Sequence, residues 1–231
     1  MKKSSFIPTD YATLVFDCDG VLLDSNKVKT NAFYQAALPY GKAAAQALAD
    51  YHISNGGVSR YKKFSYFLEH IVEERIEGDT LDDLLLSYAD HVRSGLLSCD
   101  VAPGLNELRN MTSKSRWMIV SGGDQAELRE IFAQRQLADL FDGGIFGSPD
   151  IKEDILSREQ KSANIVQPAL FIGDSKYDYK AASEAKLDFV FMSDWSEVEN
   201  WQQWCDKNDI QSLNSISSLI ELSDGQPPQH N

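Results

Sequence analysis

Long hydrophobic runs, clustered histidines and an excess of basic residues are all missing from this sequence, and each absence removes a class of function. No stretch of about 18 or more apolar residues is present to span a bilayer, and the opening MKKSSFIPTDY lacks the apolar segment of a secretory signal. With 22 Lys and Arg against 35 Asp and Glu, the formal net charge is -13 and the pI is near 4.7. A nucleic-acid backbone or an anionic membrane would meet bulk repulsion from such a chain. The expectation is a cytoplasmic protein with no nucleic-acid and no membrane partner, in which any anionic substrate is caught by local cations.

Cysteine is scarce too: Cys18, Cys99 and Cys205 are widely spaced, form no CxxC pair and have no clustered histidines to complete a zinc site. Their expected role is that of small buried hydrophobes. Of the four histidines, His52, His70 and His91 fall in one segment and His230 in the tail. None lies beside a candidate nucleophile in the sequence, which argues against a histidine-dependent hydrolase.

What is present is enough apolar material, 42% of 231 residues with 10% aromatics, for one sizeable core. Short apolar or β-branched runs recur at 11–17, 117–120, 145–146, 169–172 and 189–192, the later ones separated by helical patterning. That alternation predicts an α/β fold, a parallel sheet covered by helices on both faces. Between Asn26 and roughly Ser98, NAFYQAALPYGKAAAQALADYHI, RYKKFSYFLEHIVEERI and TLDDLLLSYADHVRSGLL show helical apolar spacing and no strand-like run. The reading is therefore an α/β core of residues 1–24 and 99–231, with an all-helical module of residues 25–98 inserted after the first strand. Pro103 falls near the start of the helix that leads back into the core, and the polar, Pro-rich end SDGQPPQHN reads as a frayed tail.

Ligands of open parallel sheets bind outside the carboxyl ends of the strands, and four strand ends here carry chemistry. FDCDGVLLDS places Asp17 and Asp19 at i and i+2, on one face of an extended segment. Two such carboxylates repel unless a cation joins them or one carries a proton, and Gly20 allows the tight turn that follows. FIGDSKYDYKAA repeats the design with Asp174 and Asp178, which also suit the capping of a helix begun at Asp174 or Ser175. WMIVSGGDQAELREIF ends a strand at Ser121 and is expected to enter a helix through Gly122 and Gly123, a phosphate cradle or an ordinary capped turn. FGSPDIKEDIL adds Lys152, a point charge suited to neutralising a nucleophile and a phosphoryl group. Carboxylates without histidine or thiolate favour magnesium (Mg2+) as the cation.

These four motifs in this order resemble the haloacid dehalogenase (HAD) superfamily of hydrolases: DCDG at 17–20, Ser121 in IVSGG, Lys152 in SPDIK, and GDSKYD at 173–178. The helical insert resembles the cap of its phosphoglycolate phosphatase-like branch. The resemblance implies a Rossmann-like core and a phosphatase that hydrolyses a small phosphorylated metabolite, a sugar phosphate or phosphoglycolate-like acid. Asp17 would be the nucleophile that forms an aspartyl-phosphate, and Asp19 the acid and base. Magnesium would be held by Asp17, the Asp19 backbone carbonyl and Asp174, with Asp178 in support; Ser121 and the Gly122 N–H would bind phosphoryl oxygens. Glu153 follows Lys152 where the family commonly has proline, and Lys176 is the alternative cation. An acid at position 19 favours phosphoryl transfer over dehalogenation, whose halide leaving group needs no proton.

Within the insert, HISNGGVSRYKKF at 52–64 breaks the helical pattern at Gly56 and Gly57 and then supplies Arg60, Lys62 and Lys63. It reads either as a specificity loop in which Arg60 and Asn55 contact the leaving group, or as a solvent-facing turn. Two other functions share parts of this pattern. A β-phosphoglucomutase-type phosphomutase would carry a histidine early in the cap, where DSNKVKTNAF has none; a non-enzymatic phosphate-binding protein would have lost catalytic acids that are retained here. A monomer or homodimer is expected.

Overall fold

A computed structural model describes residues 6–72 and 80–223, apart from the side chain of Ser223. His230 and most of the SDGQPPQHN tail lie outside the described residues. The first strand, β1 (Thr13–Phe16), is buried along its whole length, as a central strand covered on both faces must be. The chain then passes through the helical insert, α1 (Asn26–Ala37), α2 (Lys42–Ser54), α3 (Arg60–Tyr66) continued by a π-helical turn over Phe67–Ile71, and α4 (Leu81–Ser98). It returns through α5 (Leu105–Met111), β2 (Arg116–Asp124), α6 (Gln125–Gln134), β3 (Gly144–Ser148) and α7 (Lys152–Lys161). The remaining elements are β4 (Ala169–Gly173), α8 (Lys176–Glu184), β5 (Asp188–Met192), α9 (Trp201–Lys207), β6 (Gln211–Leu213) and α10 (Ile216–Ser223).

All six strands are parallel, in the order β3-β2-β1-β4-β5-β6, the doubly wound order of a Rossmann-like sheet. Alternation divides the strands between two cores. Leu14, Phe16, Trp117, Ile119 and Ile172 face a cluster closed by α5, α6 and α10. Val15, Met118, Val120, Phe171 and Phe191 face one closed by α7, α8 and α9. The insert has its own core of Phe33, Leu48, Phe64, Phe67, Tyr88 and Val92, and it rests on the sheet unit through Ile131 of α6. Its entry and exit are tied together: the Asp24 N–H donates to the Asp100 carbonyl at 2.9 Å and the Ala102 N–H to that of Leu22 at 2.9 Å.

Several local expectations are corrected. β2 continues through Gly122 and Gly123 to Asp124, with a shift in its register against β3 between Val120 and Asp124, and the Asp124 side chain caps α6 by accepting from the Glu127 N–H at 3.0 Å. The glycines are thus extended strand rather than the first turn of a helix. β6, short and only half-buried, offers no apolar run to betray it. Cys18 and Cys205 are buried as expected, whereas Cys99 is half-buried with the Arg135 guanidinium 3.4 Å from its sulfur.

Candidate active site

β1 occupies the centre of the sheet with Phe16 level with Ile119 of β2 and Ile172 of β4. That register sets Asp17, one residue further on, between the ends of both neighbours, and the Asp17 N–H donates to the Ile172 carbonyl at 2.9 Å. This is the point at which the strand order reverses, where open α/β sheets form their ligand crevice. Asp17 is 2% exposed, and oxygens of Asp17, Asp174 and Asp178 lie within 4.8 Å of one another.

Lys152, at the first position of α7, enters the same cluster. Its Nζ is 2.9 Å from Asp17 Oδ1 and bonds to Asp178 Oδ1. The alternative cation, Lys176, is exposed at the start of α8, so the geometry gives the place beside Asp17 to Lys152. Asp178 Oδ2 accepts from the Ser175 N–H at 3.1 Å and from Ser175 Oγ at 2.6 Å, a capping box that starts α8 at Ser175. With both oxygens engaged, Asp178 fixes Lys152 and leaves Asp17 and Asp174 as the available carboxylates.

Asp17 and Asp19 do not share a pole. Asp19 is turned toward the insert, its Oδ1 accepting from Ser25 Oγ at 2.6 Å and its Oδ2 from Lys29 Nζ at 2.5 Å. Repulsion within the pair is relieved by two separate lysines, Lys152 from the core and Lys29 from α1. The Asp19 carboxylate stands outside the acidic cluster. The turn needs Gly20: its φ is +73°, and a Cβ there would lie 2.1 Å from Asp174 Oδ2.

Electrostatics follow from this layout. Burial and the neighbouring Asp178 push the Asp17 carboxyl up to about 7 against the opposing pull of Lys152. Burial, Asp17 and Asp178 raise Asp174 well above the carboxylate range, partly offset by Asn26 Nδ2, which donates to it at 2.9 Å. For Asp19, burial is outweighed by Lys29 and Ser25, and its carboxyl is lowered. The Lys152 ammonium is held protonated because Asp17 and Asp178 overcome its burial.

The donor set suits a hard divalent cation: buried carboxylate oxygens, no histidine or thiolate, and an Asp17 Oδ1 that has no aligned hydrogen bond. Residues Asp17 and Asp174, with the Asp19 carbonyl, would hold it.

Above these acids lies a cavity of about 50 Å3 walled on one side by the insert. Asp17, Asp19, Gly122, Gly123, Asp174 and Ser175 form its core side; Lys29, Phe33, His52, Arg60, Lys63 and Tyr88 form the other. Ser121 is fully buried just behind this wall, its Oγ accepting from the Gly123 N–H at 3.0 Å. Arg60 lines the cavity with its guanidinium bound to Glu127 of α6, at 3.0 Å for one contact, and stacked over Tyr88 at 4.5 Å. Asn55 lies outside this cavity and donates to the Tyr51 carbonyl at 2.9 Å.

The 55–59 loop closes directly onto the core. A Cβ on Gly122 would lie 2.1 Å from the Gly57 carbonyl oxygen, so Gly122→Ala should prevent this closure. The expected outcome is about a 100-fold fall in kcat/KM for the true substrate, the scale of an ångström-level misplacement, with the melting temperature little changed; steady-state kinetics and calorimetry check it.

Sequence reasoning missed Lys29, Asn26 and His52 as site residues, and it named Lys63 only among the cations of the 52–64 loop, with no role. One signal was available for Lys29: a lysine near the positive end of a helix is unfavourable unless an acid answers it.

A sequence profile of the haloacid dehalogenase-like hydrolases matches residues 11–186. No curated protein sequence matches the chain. Among solved structures, one described as a predicted phosphoglycolate phosphatase from Haemophilus somnus is similar at TM-score 0.73 and 15% identity, covering 93% of this chain and 99% of that one. A predicted phosphatase from Clostridium acetobutylicum is similar at TM-score 0.70 and 19% identity, over 92% and 97% of the chains. CbbY from Rhodobacter sphaeroides, solved with phosphate, is similar at TM-score 0.67 and 15% identity, over 92% and 96%.

Proposed function

Because this chain belongs to the haloacid dehalogenase-like hydrolases, we propose that it is a magnesium-dependent phosphatase acting on a small phosphomonoester, a sugar phosphate or a phosphoglycolate-like acid. The observation that carries the reading is the meeting of Asp17, Lys152, Asp174 and Asp178 at one sheet crevice under a closed helical insert. When bound, magnesium supplies positive charge to the phosphoryl oxygens and to Asp17.

An Asp17 oxygen attacks phosphorus and the bond to the leaving oxygen breaks, giving an aspartyl-phosphate. Asp19 gives its proton to that leaving oxygen, then takes one from the water that attacks the phosphorus, releasing phosphate and restoring Asp17. Ser25 and Lys29 orient Asp19 for both transfers. The carboxylate form they favour suits the base half; the acid half requires Asp19 to take up a proton before the alkoxide leaves. Lys152 offsets the charge that gathers around Asp17, while Gly122 and Ser121 provide the phosphoryl cradle. The insert serves as a cap that excludes bulk water from the aspartyl-phosphate.

Purified protein should release phosphate from at least one member of a panel of sugar, polyol, hydroxy-acid and nucleotide monophosphates, with activity lost on chelation and restored by magnesium. Release from none of them would overturn the reading.

A further inference from the structure

Resting on the phosphatase reading, we propose that Lys63, held by His52, recognises a carboxylate on the leaving-group side of the substrate, so that the substrate is a small phosphorylated hydroxy acid. Lys29, Arg60 and Lys63 line the cavity above Asp17. Lys29 is paired with Asp19 and Arg60 with Glu127. Lys63 is 1% exposed, yet among the described residues it has no carboxylate within ion-pair distance.

Its Nζ instead meets His52 Nδ1 at 2.6 Å and the His52 carbonyl at 3.5 Å, and lies 5.4 Å above the Phe33 ring. Glu197, the remaining acid of the insert-facing wall, is engaged by Thr30 Oγ at 3.2 Å. A buried ammonium without a counterion is among the costliest features a fold can keep. Burial and the nearby Lys29 push Lys63 down to about 7, and burial with Lys63 holds His52 well below its usual value, so the ring is a neutral acceptor. With Nδ1 accepting from Lys63, the ring proton sits on Nε2.

An anion carried by the substrate supplies the charge that Lys63 lacks. The phosphoryl group is committed to Asp17 and its cation, so the second anion belongs to the leaving alcohol. One ammonium beside a neutral imidazole matches a single negative charge, a carboxylate, better than a second phosphate, which draws several cations or N–H donors.

The test compares 2-phosphoglycolate with 2-hydroxyethyl phosphate, which replaces the carboxylate by a hydroxymethyl group, and with ethylene glycol bisphosphate; p-nitrophenyl phosphate reports phosphatase chemistry itself. The wild type should prefer phosphoglycolate by about 30-fold or more in kcat/KM, and Lys63→Met should erase most of that preference, chiefly through KM. Equal use of the carboxylate and hydroxyl esters by the wild type, or a preference for the bisphosphate, would overturn the assignment without any variant. An unaltered selectivity ratio in a folded Lys63→Met protein would overturn it too. Failure on every substrate, p-nitrophenyl phosphate included, would instead strike the phosphatase reading beneath it.

Discussion

Asp17→Asn should lower kcat by about 10^4-fold or more, the scale on which loss of a nucleophile is felt, while the fold stays intact. Asparagine is nearly isosteric with aspartate, so it keeps the packing at the end of β1, but its amide cannot form the acyl-phosphate. Stability should move the other way in metal-free protein. Asp17 shares a buried site with Asp174 and Asp178, and Lys152 is their only close cation among the described residues, so removing one negative charge relieves repulsion.

The pH dependence has a definite sign. A carboxyl raised in the fold to about 7, from about 4 in the unfolded chain, binds its proton more tightly when folded. Its favourable contribution is complete below about pH 4 and is lost as pH rises through about 7. Asp174 is raised in the same direction, and the two titrate as a coupled pair. Without magnesium, therefore, the melting temperature of Asp17→Asn should exceed that of wild type by more at pH 8 than at pH 5. Adding magnesium should stabilise the wild type more than the variant and narrow the gap. Calorimetry across pH, with and without the metal, tests this; a gap that does not change with pH would refute the placement of Asp17 in a charge-crowded site.

These outcomes depend on features that were legible to different degrees. The sheet and its strand-end acids could be read because a buried parallel strand leaves a local mark, a short apolar run such as TLVF or ALFIG followed at once by the polar residue it presents. Asp17, Asp174, Ser121 and Lys152 come from that kind of signal. The division of Asp17 from Asp19 could not be read, since i and i+2 share a face only while the chain remains extended. The turn at Gly20 ends that extension. Nor could the cap wall be read. Arg60 meets Glu127 across 67 residues, a contact fixed by how the insert docks on α6, and Lys63 meets His52 through the packing of α3 on α2; neither follows from periodicity. The signal in HISNGGVSRYKKF was its cations, and the structure redistributes their roles: Arg60 is neutralised by a core carboxylate, and Lys63 is the buried one facing the cavity.

Lys152→Met should lose both activity and a large part of the stability. The Lys152 side chain is 1% exposed, and it touches Asp17 and Asp178. Methionine keeps most of the stem volume, so packing beneath Phe171, whose ring lies 5.7 Å from Nζ, changes little. The charge is what disappears, leaving three buried carboxylates with no cation. Removing one partner of a buried pair costs about 3–5 kcal/mol, which for a chain of this size is a fall of roughly 6 to 20 °C in melting temperature. If that loss comes from stranded charge, a second substitution, Asp178→Asn, should recover part of it while activity stays absent. If it came from packing, the two losses would simply add. Because Asp178 is also half of the capping box that starts α8, recovery should be incomplete, with asparagine still able to accept from the Ser175 N–H. A double-mutant cycle in thermal melts separates the cases: a coupling of about 1 kcal/mol or more identifies Lys152 as the counterion of the acidic cluster, and additivity would deny it that role.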